Sequence, residues 1–243
     1  MRRLLLCLVL AGCGACSGGD SAEVRRTFYA DGTPWSELVY LHGLPHGTWK
    51  TWYPDGTLKS QGTYELGKQS GEWLNYDEHG RLHVRAHYEA DRPNGLWEAF
   101  WDDGSPKHRG SFVDGVRTGL WSEWYQNGQK SSEGPYEDGE REGMWKMWFP
   151  DGRLGGEGNL TEGLPHGPQM IRAENGIVRT GEMIDGREQG PWIFWHPGYP
   201  EVKRKAGEVN YVDGAFHGEH VQWDEAGNVI SVGEWDHGVP VGD

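Results

Sequence analysis

The chain has 243 residues, a formal net charge of −14, 12% aromatic residues and three cysteines. So acidic a balance disfavours nucleic acid, whose phosphates need cationic patches, and opposes anionic lipid headgroups. The 14 Trp and 10 Tyr supply the apolar area that a chain poor in aliphatic residues lacks, so the fold must rest on aromatic packing.

Met1-Arg2-Arg3 is a basic start and Leu4 to Leu10 an apolar run too short to span a membrane as a helix. The run ends in Leu10-Ala11-Gly12-Cys13, which resembles a bacterial lipobox in its basic start, apolar core, small residues and Cys. That resemblance implies that residues 1–12 are a lipoprotein signal peptide, removed before Cys13, whose thiol carries a diacylglycerol. Residues 13–23 then form the lipidated N-terminus and a polar tether, with Ser17 to Glu23 reaching at most about 25 Å. The expected location is the bacterial cell envelope, with membrane contact through the lipid anchor only. Gly14 after Cys13 favours the outer membrane, by resemblance to enteric sorting rules. Cys7, Cys13 and Cys16 all lie in this stretch, so the rest of the chain has neither a disulfide framework nor a thiolate metal site. Loss of Arg2 and Arg3 takes the net charge from −14 to −16.

From residue 24 onward the chain repeats. Trp49, Trp73, Trp97, Trp121 and Trp145 are 24 residues apart, and Gly32, Gly56, Gly80, Gly104, Gly128, Gly152 and Gly176 keep the same step. Such self-similarity marks a tandem repeat. Within one unit, Thr48 to Tyr53 is rich in Thr and aromatics and reads as a strand. Pro54-Asp55-Gly56-Thr57 is a turn, Leu58 to Tyr64 a second strand, and Glu65 to Ser70 a second, longer turn around Gly67. No sustained 3.6-residue apolar pattern argues for a long helix. The expected fold is all-β: an elongated antiparallel β-hairpin solenoid of about nine 24-residue units over residues 24–243. The seventh unit, 168–190, is degenerate, with Gln169 and Arg172 where aromatics belong; drift, a bend or a binding interruption would each account for it. The eighth has extra residues around Lys203 to Gly207, which predict a longer hairpin loop.

The outgoing strand carries small-x-aromatic, as in Gly62-Thr63-Tyr64 and Gly110-Ser111-Phe112. Glycine inside a strand marks close approach by another group, so the repeat Trp is expected to lie over that bare backbone. Strand alternation puts Trp49 and Tyr53 on one face and Trp52 on the other, unless a bulge intervenes. The second face then carries a candidate binding column: Trp52, Tyr76, Phe100, Trp124 and Trp148.

These residues, G-x-W-x-x-W-Y-x-D-G followed by small-x-aromatic-x-x-G, resemble the bacterial variant of the MORN repeat over about residues 24–243. The resemblance implies a β-hairpin meander acting as a scaffold or interaction surface, and bacterial variant arrays are often antitoxin-like. A weaker resemblance is to the choline-binding repeats of cell-wall proteins.

Catalytic and metal motifs are not expected, nor is a cofactor. His83 and His87 have helical metal spacing but lie on an expected strand, where i and i+4 are roughly 13 Å apart. His46, His166, His217 and His237 each precede a Gly at or near a connector and read as turn chemistry. Two functions follow. One is a non-enzymatic, membrane-tethered scaffold for a protein partner, with a basic partner or toxin favoured by the acidity. The alternative is a cell-wall glycan or peptidoglycan binder using exposed aromatics of the Trp52 column. An open row of rings would favour glycan; a buried row would favour protein.

Overall fold

The computed structural model describes residues 22–242. The signal-peptide segment 1–12, Cys13, Cys16 and most of the expected tether lie outside the described residues. Within them the chain is all-β, with twenty antiparallel strands and no helix. These are β1 (Glu23–Phe28), β2 (Pro34–Leu41), β3 (Leu44–Trp52), β4 (Leu58–Glu65), β5 (Lys68–Tyr76), β6 (Leu82–Glu89), β7 (Arg92–Phe100), β8 (Pro106–Val113), β9 (Val116–Trp124) and β10 (Lys130–Glu137). There follow β11 (Glu140–Arg141), β12 (Gly143–Trp148), β13 (Leu154–Thr161), β14 (Leu164–Arg172), β15 (Val178–Ile184), β16 (Arg187–Trp195), β17 (Lys205–Val212), β18 (Ala215–Trp223), β19 (Val229–Asp236) and β20 (Val239–Pro240). Two compact units are distinguished, one ending at Thr118 and one starting at Gly119. In the first, β1 to β8 pair in chain order. In the second, β9 to β20 do the same, with β10 meeting both β11 and β12.

Two turns alternate. At the Asp-Gly turn, Gly56 N donates to Tyr53 O at 2.9 Å, Tyr53 N to Thr57 O at 2.8 Å, and the Asp55 carboxylate accepts from Thr57 N at 2.9 Å. Gly56 supplies the positive φ, 88°, that follows such a turn in a bulged hairpin. The other turn differs from the sequence expectation. Glu65 pairs directly with Lys68, so the six-residue connector 65–70 contracts to Leu66-Gly67. Both residues are left-handed, with φ of 47° and 88°, as a type I′ hairpin requires. Asp114, Asp138, Glu162, Asp185, Asp213 and His237 take the Leu66 role in turn. The longer hairpin loop of the eighth unit is present at residues 196–204, ahead of β17.

A bulge does accompany Trp52, but on the partner strand: Thr51 faces Ser60 and Trp52 faces Leu58, leaving Lys59 as the extra residue. The alternation along β3 therefore survives.

The core is an aromatic ladder on one face, the spine face. In the first unit Trp49, Tyr64, Trp73 and Tyr88 meet edge to face at 5.2–6.4 Å, and Trp49 lies 5.1 Å from Trp73. In the second, Trp121, Tyr136 and Trp145 repeat the motif, and Trp192 with Met183, Val209 and Tyr211 forms a closed cluster. Each edge-to-face pair contributes about 0.5–1.5 kcal/mol beyond burial. The expected close approach is present. A Cβ on Gly62 would strike the Trp73 ring, one on Gly134 the Trp145 ring and one on Gly181 the Trp192 ring. The indole N–H also bonds beside the glycine, Trp145 Nε1 to Pro135 O at 2.9 Å and Trp192 Nε1 to Glu182 O at 3.1 Å.

The degenerate seventh unit conforms to the same plan. Gln169 lies over Gly158, and its Nε2 donates to Asn159 O at 2.7 Å, the acceptor an indole would use. Arg172, at the Trp52 position, donates to Leu154 O at 3.0 Å and Tyr199 O at 2.9 Å. Successive repeats are also pinned by phenols. Tyr29 OH donates to Trp52 O, Tyr53 OH to Tyr76 O and Tyr125 OH to Trp148 O, at 2.8–2.9 Å and always 23 residues apart. Burial raises the Tyr29 and Tyr53 phenols above their ordinary value, so both stay protonated donors at neutral pH.

Candidate functional site

With the Trp49-type rings in the spine, the face available for other contacts is the reverse one. Its assignment follows from alternation and from one bond: Trp195, the Trp52-type residue of its unit, donates its Nε1 to Thr180 Oγ1 at 2.9 Å. Thr180 neighbours Gly181, over which Trp192 lies on the spine face, so Trp195 projects from the opposite side.

The sequence-derived column occupies one register position. Trp52 faces Leu58, Tyr76 faces Leu82 and Phe100 faces Pro106 in the first unit. Trp124 faces Lys130 and Trp148 faces Leu154 in the second. All five rings are half-buried. The column is therefore neither an open row of flat rings nor a closed core. Some ring faces of this region already have partners. The Lys130 ammonium stands 5.7 Å above Trp148, and Trp195 stacks on Tyr199 at 5.0 Å.

The strand centres of the reverse face carry features that the sequence did not single out. In the first unit an ion-pair row crosses it: Arg85 lies 3.1 Å from Glu98 and 3.4 Å from Glu72, and Arg109 lies 3.5 Å from Glu98. A groove of about 460 Å³ sits there, lined by Glu72, Arg85, His87, Asn94 and Leu96. His83 and His87 are both exposed on β6, as expected of strand residues, and His87 Nδ1 lies 2.8 Å from Asn94 O.

The second unit has a groove at the equivalent repeat position, also about 460 Å³, with a different lining. Pro168 stands where Glu72 does and Pro191 where Leu96 does, joined by Met144, Met170 and Ile193, with Glu157 and Glu182 beside them. Met144 is 46% exposed and Leu120, one repeat earlier, 62%. Lys146 reaches Glu157 at 3.4 Å. Nearby, the Lys130 ammonium and the Ser122 hydroxyl hold the Glu133 carboxyl below its ordinary range. Thioethers, proline rings and carboxylates together give this lining a surface for apolar side chains and cations. Its signal in the sequence is a run of apolar residues at the position after five successive repeat glycines (Leu96, Leu120, Met144, Pro168, Pro191), which strand alternation turns outward.

One more juxtaposition joins residues that sequence spacing had left in separate turns. His217, on β18, and His237, in the turn after β19, lie with their rings 4.9 Å apart beside Asp236.

The two grooves and the ladder are products of one repeat, and the comparisons with known proteins bear on that repeat. A family model described as the MORN repeat variant matches residues 45–66 and 117–138, two stretches in the same phase and three periods apart. No curated protein matches the chain. At those two sites the chain is similar to a family of non-enzymatic repeats that serve in contacts with proteins and membranes.

Proposed function

We propose that the protein is a non-enzymatic repeat scaffold of the bacterial cell envelope, tethered by a lipid on Cys13, whose reverse face binds a protein partner. The observation that carries the reading is the groove of the second unit, where Met144, Pro168, Met170, Pro191 and Ile193 lie among Glu157 and Glu182. An exposed apolar stripe edged by carboxylates selects a partner segment that is both apolar and cationic. The net charge, −14 for the full chain and −16 once Arg2 and Arg3 are lost, speeds the encounter with such a partner and makes it sensitive to salt. A basic toxin neutralised by an immunity-type protein is the special case that meets these terms. The rings of the Trp52 column are half-buried and not an open row, so the glycan alternative lacks the feature that would favour it.

The test is crosslinking and pull-down from the native envelope with the lipidated chain, followed by binding of the identified partner to purified variants. Met144→Lys combined with Glu182→Lys should abolish binding while the same change pair at Thr48 and Glu65 leaves it intact. A partner held equally well by the Met144→Lys, Glu182→Lys chain sinks this assignment. Co-sedimentation with purified cell wall at low salt would move the assignment to glycan.

A further inference from the structure

A capping device recurs at the two-residue turns. In three units the residue before the glycine that precedes the repeat aromatic reaches the turn one repeat later and accepts from the peptide N–H of its left-handed residue. Glu142 Oε2 accepts from Glu162 N at 3.0 Å, Gln189 Oε1 from Asp213 N at 2.8 Å and His46 Nδ1 from Leu66 N at 3.4 Å. His217 holds the same place before the turn His237-Gly238, yet its Nδ1 makes no hydrogen bond among the described residues, although less than 1 Å² of it is exposed. It stands instead 3.3 Å from Asp236 Oδ1, and His237 Nδ1 lies 2.6 Å from the same oxygen. All three donor atoms fall within 4.8 Å of one another. A buried ring nitrogen without a hydrogen bond, facing a carboxylate and a second imidazole, is the arrangement of a cation site once that nitrogen is deprotonated.

We propose that His217, Asp236 and His237 bind a late first-row divalent cation, zinc in particular, through Nδ1, Oδ1 and Nδ1. Bonds of about 2.0–2.1 Å to a tetrahedral zinc place ligand atoms roughly 3.3 Å apart. The spacing of His217 to Asp236 already meets that figure, and that of His237 to Asp236 opens by roughly 0.7 Å once the metal replaces their hydrogen bond. The frame is rigid where it must be. His217 and Asp236 sit on strands, Gly238 N donates to Phe216 O at 2.8 Å, and Phe216 packs on Trp235 at 5.5 Å. His237 is the adjustable ligand, exposed at the tip of the turn. Two imidazoles and one carboxylate suit zinc, copper or nickel and are poor ligands for magnesium or calcium, which want oxygen. Three protein ligands leave a position for water. His166 beside Asp185, 3.3 Å away, has one imidazole and one carboxylate and serves as the internal control.

The experiment is calorimetric titration of the chelator-stripped full chain with zinc chloride, together with the visible spectrum of the cobalt(II) form. One equivalent should bind, and His217→Gln, Asp236→Asn and His237→Asn should each weaken binding by roughly 10–100-fold or more, while His166→Gln changes nothing. His237→Asn is the deciding variant, because asparagine tolerates the left-handed turn and the fold should persist by circular dichroism. Absence of stoichiometric zinc binding by the unaltered chain, or an unchanged isotherm for His237→Asn, overturns the site.

Discussion

Replacing Gly134 with alanine tests the packing rule on which the whole array depends. A Cβ there would lie closer to Cδ2, Cγ and Cε2 of Trp145 than the 3.0 Å that real Cβ atoms keep, so the ring must move by about 1 Å or more to regain ordinary contact. Trp145 is 4% exposed and wedged against Tyr136 at 5.3 Å, and its N–H bond to Pro135 O is 2.9 Å long. Overpacking costs about 1–3 kcal/mol and the strained hydrogen bond about 0.5–1.5, together about 2–4 kcal/mol. For a domain of this size that is a fall in Tm of about 4–16 °C. Gly207→Ala is the matched control, also buried and in a strand, but with its nearest neighbours at 3.6 Å. It should be neutral or slightly stabilising, because alanine narrows the unfolded ensemble. The chain already contains one such alanine: Ala86 faces both Trp73 and Trp97, and Trp97 is half-buried where Trp73, Trp121, Trp145 and Trp192 are buried. Scanning calorimetry and near-ultraviolet circular dichroism read the outcome. Equal shifts for Gly134→Ala and Gly207→Ala, or none for the former, would refute the rule that the indole lies on bare backbone.

Three further outcomes are expected. Gln169→Trp should raise Tm, since an indole takes the place over Gly158 and the bond to Asn159 O that the amide now holds, adding about 1–3 kcal/mol of burial; a lower Tm counts against the equivalence. Tyr125→Phe removes the donor to Trp148 O and should cost about 1 kcal/mol, or about 2–4 °C, measured by thermal unfolding against Tyr199→Phe. Acid should weaken the array through its turn aspartates. The Thr57 N–H holds the Asp55 carboxyl low, the Ser105 hydroxyl that of Asp103 and the Arg153 N–H that of Asp151. A depressed folded value means stability that is complete above the ordinary Asp value near about 3.9 and lost as pH falls through the folded one. The combined Asp55→Asn, Asp103→Asn and Asp151→Asn chain keeps the turn bond, as Asn127 and Asn175 already do, and should show a flatter acid limb in a plot of Tm against pH; an identical limb would remove the carboxylates from the account.

Much of the fold is legible in the sequence because each element repeats under the same local rule. Asp55-Gly56 names its turn, and Gly62 announces the ring above it. The connector reads as longer in the Leu66 unit because leucine carries no left-handed preference and the tight pairing of Glu65 with Lys68 imposes it, whereas the Asp-Gly pairs at 114–115, 138–139, 185–186 and 213–214 do carry the signal of a two-residue turn. The grooves were hidden for another reason. Met144, Pro168 and Pro191 stand on different strands, and their common side becomes visible only when the registers are known. His217 and His237 are 20 residues apart, each reads as an ordinary turn residue, and the capping rule that joins such positions exists only in three dimensions.

The phenol bonds between neighbouring repeats have a mechanical consequence. Within each unit the hairpins pair in chain order with their neighbours in sequence, and Tyr29, Tyr53 and Tyr125 close loops of only 23 residues. Tension applied along such a chain loads its bonds one after another and peels one hairpin before the next begins to yield. Recovery is equally local, since a released hairpin has little loop entropy to overcome. A protein built this way stretches stepwise under force and rewinds from whatever portion remains folded.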